Sequence, residues 1–160
     1  MSQTSYSKEM GHAVEGMMAD SSLRVVDSCV STSSTAMAIG QMVALDEDKA
    51  DRVGVEGATS STEAFDMFGV IVDSPEYTLS ESDGTRQSIK QKTVINVMRK
   101  GRIWVKVAAD VNIGNKAAIN SSGKFIAATT VSSYGGAGTI DNGRYLTTTK
   151  SGKLALLELF

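Results

Sequence analysis

KTVINVMRKGRIWVKVAADVNIGNKAAINSSGKFIAA, residues Lys92–Ala128, is the stretch whose reading decides the fold. Two β-rich runs, Thr93–Met98 and Arg102–Val107, flank Arg99-Lys100-Gly101, which reads as a tight break. A third run, Ile113–Ile119, ends in the turn Asn120-Ser121-Ser122-Gly123, and a fourth starts at Lys124. Ile103, Val105 and Val107 alternate with Arg102, Trp104 and Lys106, the period of two that a half-buried strand requires. Gly101 and Gly123 stand where tight turns ask for positive φ. The only tryptophan lies on the more polar face of its run, which predicts that this face is covered.

Outward from that stretch the pattern continues. Toward the N-terminus the strands are Leu23–Val30, Ile39–Leu45, a short return at Ala50–Val55, and Val70-Ile71-Val72. Ser60-x-x-Glu63 fits a capping box, predicting one helical turn over Thr62–Met67. Pro75 follows the last of these strands, and Asp83-Gly84 is a hairpin signal. Toward the C-terminus come the loop Thr129–Gly138, a pair of β runs over Thr139–Thr149, a turn at Ser151-Gly152, and the strand Lys153–Phe160. That last strand is apolar on both faces, so the C-terminus is expected to be buried. Residues 1–22 are rich in Ser, Thr and Met, with Gly11 and Gly16 interrupting a rough helical spacing of Met10, Val14, Met17 and Met18. They read as an N-terminal arm that orders on docking, ahead of a β-rich domain over 23–160. The fold class is mainly β: a compact barrel- or sandwich-like single domain built of hairpins, with a flexible N-terminal arm.

There is an internal echo. Ile39-Gly40-Gln41-Met42-Val43-Ala44-Leu45-Asp46 matches Ile113-Gly114-Asn115-Lys116-Ala117-Ala118-Ile119-Asn120, and Lys100-Gly101-Arg102-Ile103-Trp104-Val105 matches Ser151-Gly152-Lys153-Leu154-Ala155-Leu156. Two similar β sub-structures in one domain would follow.

Charge divides sharply along the chain. Residues 1–84 carry 4 basic and 15 acidic side chains, whereas residues 85–160 carry 12 basic and 3 acidic. Three readings stay open: interleaved strands that neutralise one another, acidic and basic surfaces that meet between subunits, or a nucleic-acid surface. The basic run lacks interleaved aromatics, so direct nucleic-acid binding is not expected. No apolar run approaches the roughly 20 residues of a membrane helix, so no membrane partner is expected. MSQTSYSKEMGHAVEG has no apolar signal-peptide core.

Catalytic signatures are missing from the sequence. Cys29 is the single cysteine and His12 the single histidine, in unrelated stretches, so a thiol–imidazole pair is not expected. Asp46-x-Asp48 lacks the glycine and closing glutamate of a calcium loop. Gly135-Gly136-Ala137-Gly138 has no phosphate-loop lysine. Asn120-Ser121-Ser122 is a sequon that reads here as a turn. No enzyme, cofactor or metal is expected.

Ile39–Leu45, Phe68–Val72, Gly101–Val107, Asn112–Gly114 and Ser122–Phe125, taken in order over roughly Leu23–Ala128, resemble the structural cement (head decoration) proteins of tailed bacteriophages. The resemblance implies a non-enzymatic protein of the virion, made in the host cytoplasm. It would bind the outside of the expanded head and bridge neighbouring major capsid proteins as a homotrimer. It also implies that the arm makes capsid contact, which falls on Met10, Val14, Met17 and Met18, with Arg99, Lys100 and Arg102 as further capsid or subunit contacts. The alternative is a β-rich fibre or adhesin module recognising a glycan or a protein, which would require exposed aromatics along a groove.

Overall fold

A computed structural model describes residues 13–20, 23–47, 53–74, 88–128 and 138–160. Its strands are β1 (Val25–Ser31), β2 (Met42–Leu45), β3 (Gly54–Gly57), β4 (Met67–Ile71), β5 (Val94–Lys106), β6 (Lys116–Ile119), β7 (Phe125–Ala127), β8 (Thr139–Tyr145) and β9 (Leu154–Leu159). They hydrogen-bond in the order β1-β3-β2-β4-β5-β9-β8-β6-β7, and β1 also pairs with β5. The first five strands therefore close into a barrel, as a sheet does to remove its edges. The remaining strands form a second array on β5, and a parallel bridge from Val107 to Phe125 brings β7 back to the end of β5.

β5 joins the two units. Its first half pairs with β1 and β4, and its second half pairs with β9 from Gly101↔Leu159 onward. The break expected at Arg99-Lys100-Gly101 is thus not a turn. Gly101 has φ +123° inside a continuous strand, at the corner where that strand leaves one sheet for the other. A glycine corner and a glycine turn use the same conformational freedom, so the sequence does not separate them.

Alternation then builds two cores. Cys29, Val43, Ile71, Ile95 and Val97 fill the first barrel. Val105, Ile119, Phe125, Ile140, Tyr145 and Leu157 fill the second array. The opposite faces of β2, β4 and β5 carry the cross-strand row Met42–Val70–Met98. This row is buried with the second core, so the two units form one body. Each fully buried side chain of this size contributes roughly 1.5–3 kcal/mol.

The first internal echo is structural. Gly40 (φ +78°) and Gly114 (φ +84°) occupy the same place in one turn built twice. In each, an amide oxygen accepts a backbone N–H three residues back: Gln41 Oε1 from Ala38 at 3.0 Å, Asn115 Oδ1 from Asn112 at 2.9 Å. The Gly40 N–H donates to Ile71 O and the Gly114 N–H to Tyr145 O, at 2.9 and 2.8 Å. The bridges Met37–Ile89 and Val111–Thr149 correspond in the same way, as do the parallel contacts Ser31–Val55 and Val107–Phe125. The second echo fails. The counterpart of Gly152 is Lys92, whose N–H reaches Ser31 O at 2.7 Å as the Gly152 N–H reaches Val107 O at 2.7 Å.

Other expectations shift locally. Ala64–Asp66 is a single 3₁₀ turn whose N-cap, Glu63, makes no side-chain cap bond, so the capping box does not form. Instead the Thr59 N–H donates to Thr62 Oγ1 at 3.0 Å. Thr139–Thr149 holds one strand and an isolated bridge rather than two runs. β9 is central and buries Ala155, Leu157 and Leu159, but Phe160 is 58% exposed, so the very C-terminus is not buried. Pro75, the Asp83-Gly84 hairpin signal and Gly135–Ala137 lie outside the described residues.

Of the expected arm, residues 13–20 are described, and they run along the second half of β5. The Gly16 N–H donates to Trp104 O (2.7 Å), Trp104 N–H to Met17 O (3.0 Å) and Ala19 N–H to Arg102 O (2.9 Å). On the other side the Asp73 N–H donates to Gly16 O at 2.8 Å. Trp104 itself is half-buried, so the tryptophan face is partly covered.

Candidate interaction surface

The corner at Gly101 gathers charged and apolar side chains that sequence distance keeps apart. Leu23, Lys100, Gly101, Arg102, Glu158, Leu159 and Phe160 line a groove of about 350 Å³. Leu23 is 98% exposed and, like the exposed Phe160, lines this groove, so two large apolar side chains face solvent around one concavity. Exposed apolar side chains gathered together mark association surfaces more than single ones do.

Glu158 organises the charges of this groove. It accepts from Arg102 Nε at 3.1 Å and from Arg144 Nη2 at 2.6 Å. Arg102 also holds Asp20 of the arm at 3.1 Å. The hydrogen bond from Arg144, seconded by Arg102, holds the Glu158 carboxyl below the usual carboxylate range. Its hydrogen bonds to Glu158 and then Asp20 push the Arg102 guanidinium above its ordinary value. Arg144 also lies over the Phe160 ring, 5.5 Å from its centroid.

The candidate contact residues fall into distinct settings. Arg99 pairs with Asp27 at 3.2 Å and stands 4.8 Å over the Phe68 ring. Arg102 is committed to Asp20 and Glu158. Lys100 is exposed at the rim of the groove. Val14 and Met17 are exposed on the docked arm, whereas Met18 packs against the second core. Met10 lies outside the described residues. Lys100 and Arg102 therefore meet at the groove, with Asp20 of the arm held to Arg102, whereas Arg99 is held by Asp27 of β1. The pairs Asp27–Arg99 and Asp20–Arg102 each join the acidic half of the chain to the basic half, as interleaved strands require.

The sequence did not single out Leu23, Glu158 or Phe160. Glu158 carried a signal, since it is one of only 3 acids after residue 84 and sits between two leucines. Leu23 and Phe160 carried none, because only the fold brings the ends of the domain together.

A second concavity, about 780 Å³, lies between Thr32–Met37, Glu56–Thr59 and Ser121–Gly123. Hydroxyls and the carboxylates of Glu56, Glu63 and Asp66 line it, a solvated set without a nucleophile–base pair. Among the described residues no cluster of His, Cys, Asp and Glu could hold a metal ion. Cys29 is buried, and burial, then the Asp27 charge, pushes its thiol up to about 11. Among the described residues Tyr145 is fully buried and Phe160 is exposed, so no row of exposed aromatics lines a groove.

The model of the structural cement protein family (E217 gp24/Pam3 gp6) matches residues 2–160. Among solved structures, a chain of the capsid of Myoviridae phage XM1 is similar in fold, with a TM-score of 0.63 at 17% identity, covering 98% of this chain and 95% of that one. The head fiber gp8.5 N base of bacteriophage phi29 is also similar, with a TM-score of 0.51 at 11% identity, covering 86% of this chain and 95% of that one. No curated protein matches the sequence.

Proposed function

We propose a head-stabilising role from the premise that this chain belongs to the structural cement protein family. It binds the outer surface of the expanded phage head and bridges neighbouring major capsid proteins, as a homotrimer. The observation that carries this reading is the family match over nearly the whole chain. The groove at the Gly101 corner, with Leu23 and Phe160 exposed beside Lys100, suits the association the role needs.

The physical logic is mass action. A protein that binds only the expanded lattice stabilises that state by an amount set by its concentration relative to its Kd. Three linked copies add avidity without a large interface each. Heads lacking the protein, heated with and without it, test the reading. Bound heads are expected to retain DNA to a higher temperature, and an unchanged release temperature at full occupancy would contradict stabilisation.

A further inference from the structure

The two halves of the chain offer one site twice, and the arm fills it once. Along β5 the outer edge at Arg102–Trp104 is paired by Gly16–Ala19, and Gly16 covers the Gly40 turn of the opposite unit. β1 is the counterpart of that half of β5: Ser31 corresponds to Val107, Ser28 to Trp104 and Val26 to Arg102. The N–H groups of Val30 and Thr32 bond to Val53 O and Val55 O, away from β5, while the Ser31 N–H bonds to Thr93 O beside β5. Strand alternation therefore turns the backbone of Val26 and Ser28 to the outer edge. No described residue pairs with it there.

Exposure agrees. Val25 and Val26 are 42% and 38% exposed. The covered turn buries Ile39, whereas Ile113 in the repeated turn is 67% exposed. A Cβ on Gly40 would meet Glu15, and one on Gly114 would meet nothing within 4 Å. β9 also ends where β1 begins, with Phe160 and Leu23 lining one groove. The two units are therefore related head to head about the Gly101 corner.

We infer that the outer edge of β1 at Val26–Ser28 accepts an extended segment of the major capsid protein as an added strand. The inference rests on the capsid-binding reading above. The described part of the arm, residues 13–20, is committed to the first of two equivalent edges, and the second takes its strand from another protein. By analogy with Gly16, that strand carries a small residue facing the Gly114 turn. Backbone bonds supply the affinity in such strand addition, and the flanking side chains supply the choice.

The test uses full-length protein and expanded heads lacking it. Ser28→Pro removes the edge donor and Val26→Lys places a charge on the edge, neither removing a backbone bond of the β1–β5 ladder, although Ser28→Pro also loses the exposed Ser28 Oγ bond to Asn96 Oδ1. Both variants are expected to keep the wild-type melting temperature and lose at least tenfold in head occupancy. Backbone amides over residues 25–29 of the wild type are expected to exchange at least tenfold more slowly on heads. Full occupancy without that protection would overturn strand addition and leave the capsid-binding reading standing. Protection that appears on self-association, without heads, would assign the edge to a second copy and overturn the inference. Failure of the wild type to bind heads would overturn both.

Discussion

Gly40 is covered by the arm and Gly114 is open, although the two residues close the same turn in two halves of one chain. That asymmetry divides the molecule into a self-sealed side and a side with exposed edge and apolar groups. It also fixes what the described arm does: it is structural before it is anything else.

Removing residues 2–20 deletes four backbone hydrogen bonds, those made by Gly16, Met17 and Ala19 with Trp104, Arg102 and Asp73. At about 0.5–1.5 kcal/mol each, stability is expected to fall by about 2–6 kcal/mol in urea unfolding. A truncation without effect on the midpoint would show that the β5 edge does not need its partner.

Gly101 tolerates no side chain easily. Its φ is +123°, and a Cβ would stand 3.2 Å from Arg24 Cβ and Met98 Sδ. Gly101→Val is expected to cost roughly 2–3 kcal/mol, the scale of backbone strain held in such a conformation. Wild-type stability in the variant would mean that the sheet-to-sheet corner bends elsewhere.

Ser31 is fully buried with no partner for its Oγ, at the position where the second unit has Val107. An unsatisfied buried hydroxyl costs about 1–3 kcal/mol. Ser31→Ala is expected to raise stability by about 1 kcal/mol, read as a higher melting temperature. A lower one would show that the hydroxyl is bonded.

The pH dependence has a definite sign at Glu158. Its folded-state pKa is depressed by Arg144 and Arg102, so its contribution is complete above the ordinary carboxylate value and fades as pH falls through the folded one. Between pH 5 and 3 the wild type is expected to lose more stability than Glu158→Gln. Parallel pH profiles would contradict the clamp.

Much of this was legible in residues. Alternation in Arg102–Val107 and the Ile-Gly-Gln/Ile-Gly-Asn echo led directly to a β protein made of two like units, because period-two patterning and an amide-capped glycine turn are local. The turn Asn120–Gly123 appeared where expected, with Gly123 at φ +68°. What was not legible is non-local. Gly101 looked like a hairpin because its role depends on β9 arriving opposite it. The arm's pairing along β5 is backbone to backbone, which side-chain identity does not encode. The groove is lined by Leu23 and Phe160, from opposite ends of the domain.

Sedimentation of the purified protein with expanded and with unexpanded heads that lack it tests the central claim most directly. The account predicts co-sedimentation with expanded heads only, at a fixed copy number in multiples of three per site. Equal binding to both head forms, or binding to neither, would contradict it.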